Sequence, residues 1–361
     1  MSKGRIDVAT TITGFKVEGL CACVPKEEID NREYGKALFG EDLEGIVQTI
    51  GVSKRRVCPE GETTSLDLCV CAAKRLFERG DYDPGSFGGI VCVTQTPDLT
   101  LPNNATYAQH LLGLPQSTAA FDINLACSGY PYGLYVAGMM ASTMRKRVLL
   151  LDGDTHSHFV SPHDKTTALL FGDAGSATVL APRDVEGSET SFLFHTYGES
   201  RQALHIPDGG YRNRVNPHSG EYREYENGNR RRPIDMYMDG MAVFDFVAKR
   251  VPKALQQLLD EMGKTVRDLD WLVLHQANLF MIKQVAKKIK MDLTKLPVCI
   301  HKYGNSSSTT VPLTIASELA ASVREKANTI LMSGFGAGLS IGTALLSIGP
   351  CCCPGVVEYE P

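Results

Sequence analysis

The chain has 361 residues, 43% apolar and 22% charged, with 34 glycines and 18 prolines: an ordinary globular composition with no collagen-like or disordered bias. Its 37 basic and 41 acidic residues leave a formal net charge of −4, both signs interleaved, which argues against sequence-independent binding to nucleic acid. The opening residues lack the apolar core of a signal peptide, and the longest apolar runs are short and broken by glycine. A soluble cytoplasmic protein with no membrane partner is expected.

At roughly 150 residues per domain, the length suggests two or three units. Short runs with β-branched residues alternate with longer amphipathic stretches, the pattern of a layered α/β fold. In chain order this predicts helix over 64–78, strand over 89–94, helix over 105–112, strand over 119–124, helix over 127–143, and strands over 148–152 and 176–181. The second half offers helix over 241–260, strand over 271–274, helix over 279–288, strand over 298–301, helix over 306–324, and strands over 329–333 and 339–347. Strand, helix, strand and glycine-rich strand thus occur twice, once around Cys127 and once around Asn305. The echo predicts two duplicated halves, 1–181 and 182–361, facing each other across a pseudo-twofold axis. Residues 207–233, polar and aperiodic, read as a surface excursion that is either a lid or binding edge or an inert insertion. Within it the run Arg230 to Arg232 reads as solvated loop.

Eleven cysteines is an odd number, scattered through apolar segments without any Cys-x-x-Cys pair, so buried thiols are expected rather than disulfides, and no metal site. Cys127 differs in setting. It follows an apolar strand and precedes Ser128 and Gly129, where a helix start favours a thiolate and small neighbours let a carbonyl approach backbone N–H groups; a core thiol is the alternative. His275 follows the apolar run 271–274 at the end of a central strand, placed either for chemistry in a crevice or for structural hydrogen bonding. Asn305, followed by Ser306 and Ser307, suits a helix N-cap and also an amide donor to an oxyanion. The turn Gly334-Phe335-Gly336-Ala337-Gly338 departs from a dinucleotide fingerprint and leads into a strand, and Gly263-Lys264-Thr265 lacks the first glycine of a P-loop.

Taken in order, Ala126-Cys127-Ser128-Gly129-Tyr130 with Tyr132-Gly133-Leu134, Phe171-Gly172-Asp173-Ala174-Gly175, His275-Gln276-Ala277-Asn278, Gly304-Asn305-Ser306-Ser307 and Gly334-Phe335-Gly336-Ala337-Gly338 resemble the β-ketoacyl-acyl-carrier-protein synthase III branch of the thiolase superfamily, over about residues 10–348. The resemblance implies a five-layered αβαβα thiolase-like fold built from two similar halves, and a homodimer. It implies that Cys127 takes an acyl group from a thioester, that the Cys127 and Ala337 N–H groups form the oxyanion hole, and that His275 and Asn305 hold the enolate of a decarboxylating malonyl donor. Carried over by position, Leu101, Lys165, Met238, Gly240, Phe244, Ala277, Asn278 and Phe280 contact substrate, and Lys283, Lys287 and Lys288 meet an acyl carrier protein or form a solvated face. No cofactor is implied beyond acyl-CoA or acyl carrier protein thioesters and malonyl carrier protein as substrates.

The chain also departs from the family. Gly45 and Thr49 stand where relatives clamp the adenine of coenzyme A, Phe280 replaces the usual arginine after the His-Gln-Ala-Asn motif, and Lys165 replaces another, which implies weaker coenzyme A recognition. Leu101 replaces an aromatic residue sent across the dimer, either admitting a different acyl chain or serving as ordinary interface packing. Fatty acid synthesis and a specialised pathway both fit. Alternatives are acyl transfer to an oxygen or nitrogen nucleophile without decarboxylation, a hydroxymethylglutaryl-CoA synthase with Glu62 as base (otherwise a helix-start carboxylate), and a noncatalytic partner subunit.

Overall fold

Strands covered on both faces carry apolar residues at successive positions rather than alternate ones, and Phe87–Val93 is buried at every position. It lies inside one of two large sheets in the computed structural model, which describes residues 8–184, 189–225 and 228–360. The strands of these sheets are β1 Thr10–Ile12, β2 Phe15–Val24, β3 Phe87–Val93, β4 Ala119–Ile123, β5 Arg147–Asp154, β6 Ala174–Pro182, β7 Thr190–Thr196, β8 Trp271–Leu274, β9 Asn328–Gly336, β10 Ser340–Ile348 and β11 Cys352–Glu358. The first sheet runs β11-β2-β6-β5-β3-β4 and the second β1-β7-β10-β9-β8. Each mixes parallel pairs, such as β3 with β4 and β8 with β9, with antiparallel ones.

The principal helices are α1 Leu43–Ile50, α2 Ser65–Gly80, α3 Asn104–Leu111, α4 Gly129–Met144, α5 Gly240–Glu261, α6 Leu279–Lys288, α7 Thr310–Glu318 and α8 Ala320–Glu325. A helix apolar on all sides must be covered on all sides. In α4, Tyr130, Leu134, Ala137 and Ala141 share one core with Val91 and Leu150 of the first sheet and Ile330, Met332 and Ala344 of the second, joined by Val311 and Ile315 of α7. Outside the first sheet, Leu66, Leu68 and Leu76 of α2 pack on Ile90 and Leu149; outside the second, Leu255 and Leu258 of α5 and Ile282 of α6 pack on Leu272 and Leu331. The layers are therefore α2/α3, sheet, α4/α7, sheet, α5/α6, the five-layered αβαβα order of the thiolase fold. A division at 181/182 falls at the end of β6, and β1 and β11 each join the sheet built mainly from the opposite half of the chain. Among the described residues no helix is long and apolar enough to cross a membrane.

Several segments differ from the sequence-based expectation. Residues 298–301 are not a strand: the chain is irregular to Cys299 and then forms the helical turn Ile300–Tyr303. The Cys299 N–H is taken by Gln276 Oε1 at 3.2 Å, a side chain standing where a neighbouring strand would be needed. The helix expected over 306–324 is a 3₁₀ turn, Ser307–Thr309, followed by α7 and α8, with Pro312 in the first turn of α7. The arginine run is not simply solvated, since Arg231 is buried and its guanidinium lies 2.8 Å from Asp164, while Arg232 pairs with Asp235. Residues 1–7, read above for a leader, and 226–227 of the surface excursion lie outside the described residues.

The two halves lock together where Phe171 bridges Asn305. Asn305 N–H donates to Leu170 O at 2.9 Å and Gly172 N–H to Asn305 O at 3.1 Å. Residue 172 must lack a side chain, because a Cβ there would lie 2.1 Å from Tyr303 O and 3.0 Å from Arg56 O. Gly172→Ala should therefore destabilise the protein by about 1–3 kcal/mol, the usual cost of overpacking. A lowered urea midpoint at unchanged slope is the expected reading, and an unchanged midpoint would show that the seam yields freely.

Candidate active site

Residues 124–128 turn the chain from β4 into α4, closed by a 2.6 Å hydrogen bond from Gly129 N–H to Ala126 O. Cys127 sits in this turn, 5% exposed and two residues ahead of the helix. Burial works against the thiolate that a helix start would favour. Burial pushes the thiol up to about 12, outweighing the Ser307 hydroxyl and the Cys127 and Ala337 N–H groups that favour the ionised sulfur. Lost hydration exceeds what three neutral donors return. The sulfur fits because residue 336 is glycine: a Cβ there would lie 2.6 Å from Cys127 Cβ and 2.9 Å from Sγ.

His275 continues from β8, buried, with its ring edge-on to Phe335 at 5.3 Å. Its Nδ1 lies 2.7 Å from Thr310 Oγ1. Burial pushes the imidazole down to about 3, the Ser307 carbonyl opposes this, and the nearby His156 lowers it further, so the ring is neutral at neutral pH. Asn305 does not cap a long helix as its sequence setting suggested. Its Oδ1 accepts the Ser307 N–H at 3.0 Å and so shapes the 3₁₀ turn ahead of α7.

Ser307 joins the three. Its hydroxyl is 3.9 Å from Cys127 Sγ, its N–H is held by Asn305, and its carbonyl faces the His275 ring. This requires a left-handed backbone, φ +57°, at a residue that is not glycine. Serine's part was not read from the sequence, because a Ser-Ser-Ser run signals only turn or cap chemistry.

A cleft of about 910 Å³ opens over Cys127 and Ala337. Phe171, Met236 and the segment from Pro207 to Gly210 line it, so the start of the long excursion forms part of its wall. Neither His275 nor Asn305 lines this cleft. The other expected contacts do not line it either. Leu101 is 84% exposed, Lys165 is exposed, and Met238 packs in an apolar cluster with Phe171 and Leu279. Gly240 opens α5 beside the Thr166 methyl group, Ala277 is half-buried, and Asn278 caps α6 by accepting the Met281 N–H at 2.8 Å. Phe244 and Phe280 form an exposed stacked pair, ring centroids 5.7 Å apart. Lys283, Lys287 and Lys288 are exposed, and the Lys288 ammonium is tied to Ala248 O at 2.7 Å. Glu62 is exposed in the turn before α2 and lines no part of the cleft; the carboxylate in the α2 capping box is Asp67. His156, which does line it, had no spacing in the sequence that marked it.

Residues 121–198 match the 3-oxoacyl-[acyl-carrier-protein] synthase III family and residues 259–348 its C-terminal portion. A β-ketoacyl-[acyl-carrier-protein] synthase III of Clostridioides difficile is 31% identical over 91% of this chain and 96% of its own length. The chain belongs to this family. The crystal structure of a 3-oxoacyl-(acyl-carrier-protein) synthase from Burkholderia xenovorans covers 99% of this chain and 100% of its own, with TM-score 0.91 and 34% identity. That of the synthase III from Pseudomonas aeruginosa covers 93% of this chain and 99% of its own, at TM-score 0.79 and 27% identity.

The close approach of Gly336 to the sulfur gives a direct test. Gly336→Ala should slow acylation of Cys127 by a thioester by on the order of 100-fold, the effect of displacing a reacting atom by about an ångström. Intact-mass kinetics measure it, and a parental rate would show that the contact is slack.

Proposed function

We propose that this chain is a β-ketoacyl-acyl-carrier-protein synthase III that loads an acyl group on Cys127 and condenses it with a malonyl thioester. The observation that supports the reading is Ser307, whose hydroxyl lies 3.9 Å from Cys127 Sγ, whose N–H donates to Asn305 Oδ1 and whose carbonyl faces the His275 ring.

In the first step the Cys127 sulfur attacks the thioester carbonyl, its proton leaving toward the departing thiol, and the oxyanion takes up the Cys127 and Ala337 N–H groups that otherwise face the sulfur. In the second, a malonyl thioester loses carbon dioxide and the electron pair of the broken bond becomes an enolate. With Asn305 Oδ1 already held by Ser307, Nδ2 is the end left to donate to the enolate oxygen. Thr310 has one hydroxyl proton and two neighbours, His275 Nδ1 at 2.7 Å and Ser307 O at 2.8 Å. That hydroxyl donates to Ser307 O at rest; turned to Nδ1 instead, it would leave the ring hydrogen on Nε2, which becomes the second donor. The enolate carbon then attacks the acyl-cysteine, forming the carbon–carbon bond, and the sulfur departs and recovers a proton.

The proposed substrates are acyl-CoA or acyl carrier protein thioesters and malonyl carrier protein. Support for a carrier protein comes from the exposed Lys283 and Lys287 on α6 beside the Phe244–Phe280 pair, which together offer charge and an apolar wall. Support for a homodimer comes from the edge strand β4 and the apolar side chains near it, with Leu99 58%, Leu101 84% and Tyr107 52% exposed. The position of Glu62 gives no support to hydroxymethylglutaryl-CoA synthase chemistry.

Asn305→Ala should lower condensation by about 3 kcal/mol in the barrier, roughly 100-fold, while Cys127 still acylates. Intact-mass and product assays on the same sample separate the two steps, and condensation at the parental rate would remove Asn305 from the mechanism. The imidazole makes a second prediction. Since His275 is held down to about 3, its neutral form prevails above that value, so the condensation rate should show no histidine inflection between pH 5.5 and about 7.5. A loss of rate on acidification through about 6.5 that disappears in His275→Asn would mean that the ring titrates normally.

A further inference from the structure

His156 is 4% exposed and lines the cleft beside Cys127; its Nδ1 is sealed from solvent without a hydrogen-bond partner, and Nε2, which is not sealed, has no protein partner among the described residues either. Ala126, Phe171 and Met236, the other buried residues there besides Cys127, are apolar. A buried imidazole whose only task is structural is ordinarily hydrogen-bonded, because an unmet polar group in a dry site is costly. Nor is the ring free to turn away. Asp173 accepts the Ser157 N–H at 3.1 Å and its hydroxyl at 2.6 Å, Thr155 N–H is held by Thr96 Oγ1 at 3.0 Å, and Phe171 meets the imidazole edge-on at 6.1 Å. A polar group is therefore fixed among the buried, otherwise apolar residues of the wall beside Cys127.

We infer that His156 is a specificity-determining residue, and that the acyl group loaded on Cys127 carries a hydroxyl or carbonyl oxygen that hydrogen-bonds to its imidazole. The inference rests on the acyl-cysteine reading and goes beyond it by naming the acyl class. A plain hydrocarbon chain lying along this wall would cover Nε2 and leave it unmet, whereas an oxygenated chain supplies a partner as it displaces water. Discrimination of this kind comes from the unpaired group left behind when the wrong substrate binds.

The test uses the full-length protein and N-acetylcysteamine thioesters of hexanoate and of 3-, 4- and 5-hydroxyhexanoate and 3-oxohexanoate, with acylation of Cys127 followed by intact mass. At least one oxygenated thioester should acylate roughly tenfold or more faster than hexanoyl, the discrimination of about one hydrogen bond. His156→Leu should remove or reverse that ratio, and His156→Gln, which keeps a donor and an acceptor, should retain part of it. Wild-type protein that takes hexanoyl as fast as every oxygenated chain overturns the inference without any variant. So does a folded His156→Leu that keeps the wild-type ratio. Absence of Cys127 acylation by every thioester overturns this inference together with the acyl-cysteine reading; acylation without the preference overturns this one alone.

Discussion

The candidate site depends on one residue in a left-handed backbone conformation. At φ +57°, Ser307 turns so that its hydroxyl, N–H and carbonyl meet Cys127, Asn305 and His275 respectively. A regular helix would point N–H and carbonyl along one axis and engage both within the helix. Such a conformation costs a non-glycine residue about 1–3 kcal/mol and persists where the surroundings over-determine it. Ser306 through Thr310 are fully buried, so the turn has nowhere to relax.

Two glycines extend this constraint across the seam between the halves. Gly172, from the first half, leaves room for Tyr303 O and hydrogen-bonds the Asn305 carbonyl of the second, and Gly336, from the second half, lets β9 close over the Cys127 sulfur. Asp173, next to Gly172, receives the N–H groups of Cys58 and Ser157 and so ties the loop carrying His156 to the same seam. Each half thus presses a glycine against the other half's chemistry-bearing residue. Neither half alone contains the site.

The residues proposed for the candidate site were picked out in the sequence because their motifs demand particular residue types in a particular order. Helix Leu279–Lys288 and strand Trp271–Leu274 were legible because amphipathic period and β-branched content agree there. Strand Phe15–Val24 was not, since Gly19 and two cysteines interrupt the pattern; the glycine is needed because a Cβ would lie 2.6 Å from the Tyr82 hydroxyl. Strand Cys352–Glu358 hides behind Pro354 and Gly355, tolerated because it is an edge strand with an irregular register. Val298 to His301 look like a strand locally, but the side chain of Gln276, distant in sequence, takes the backbone hydrogen bond that would have made them one. Cys127 illustrates the same limit, because a helix start argues for a thiolate while the depth of burial, a tertiary property, decides for the thiol.

That protonation state bears on how the site works. Burial pushes the sulfur up to about 12 and the imidazole down to about 3, which favours a resting thiol and neutral ring over a thiolate–imidazolium pair. Acylation must therefore remove the thiol proton as the sulfur attacks, and the Cys127 and Ala337 N–H groups are most useful after charge has moved from sulfur to the carbonyl oxygen. A neutral His275 is equally suited to the second half of the reaction. It can donate a hydrogen bond to an enolate oxygen, whereas an imidazolium is acidic enough to surrender its proton and quench the carbanion before it reaches the acyl carbon. The dryness that opposes ionisation of both groups thus favours carbon–carbon bond formation over protonation.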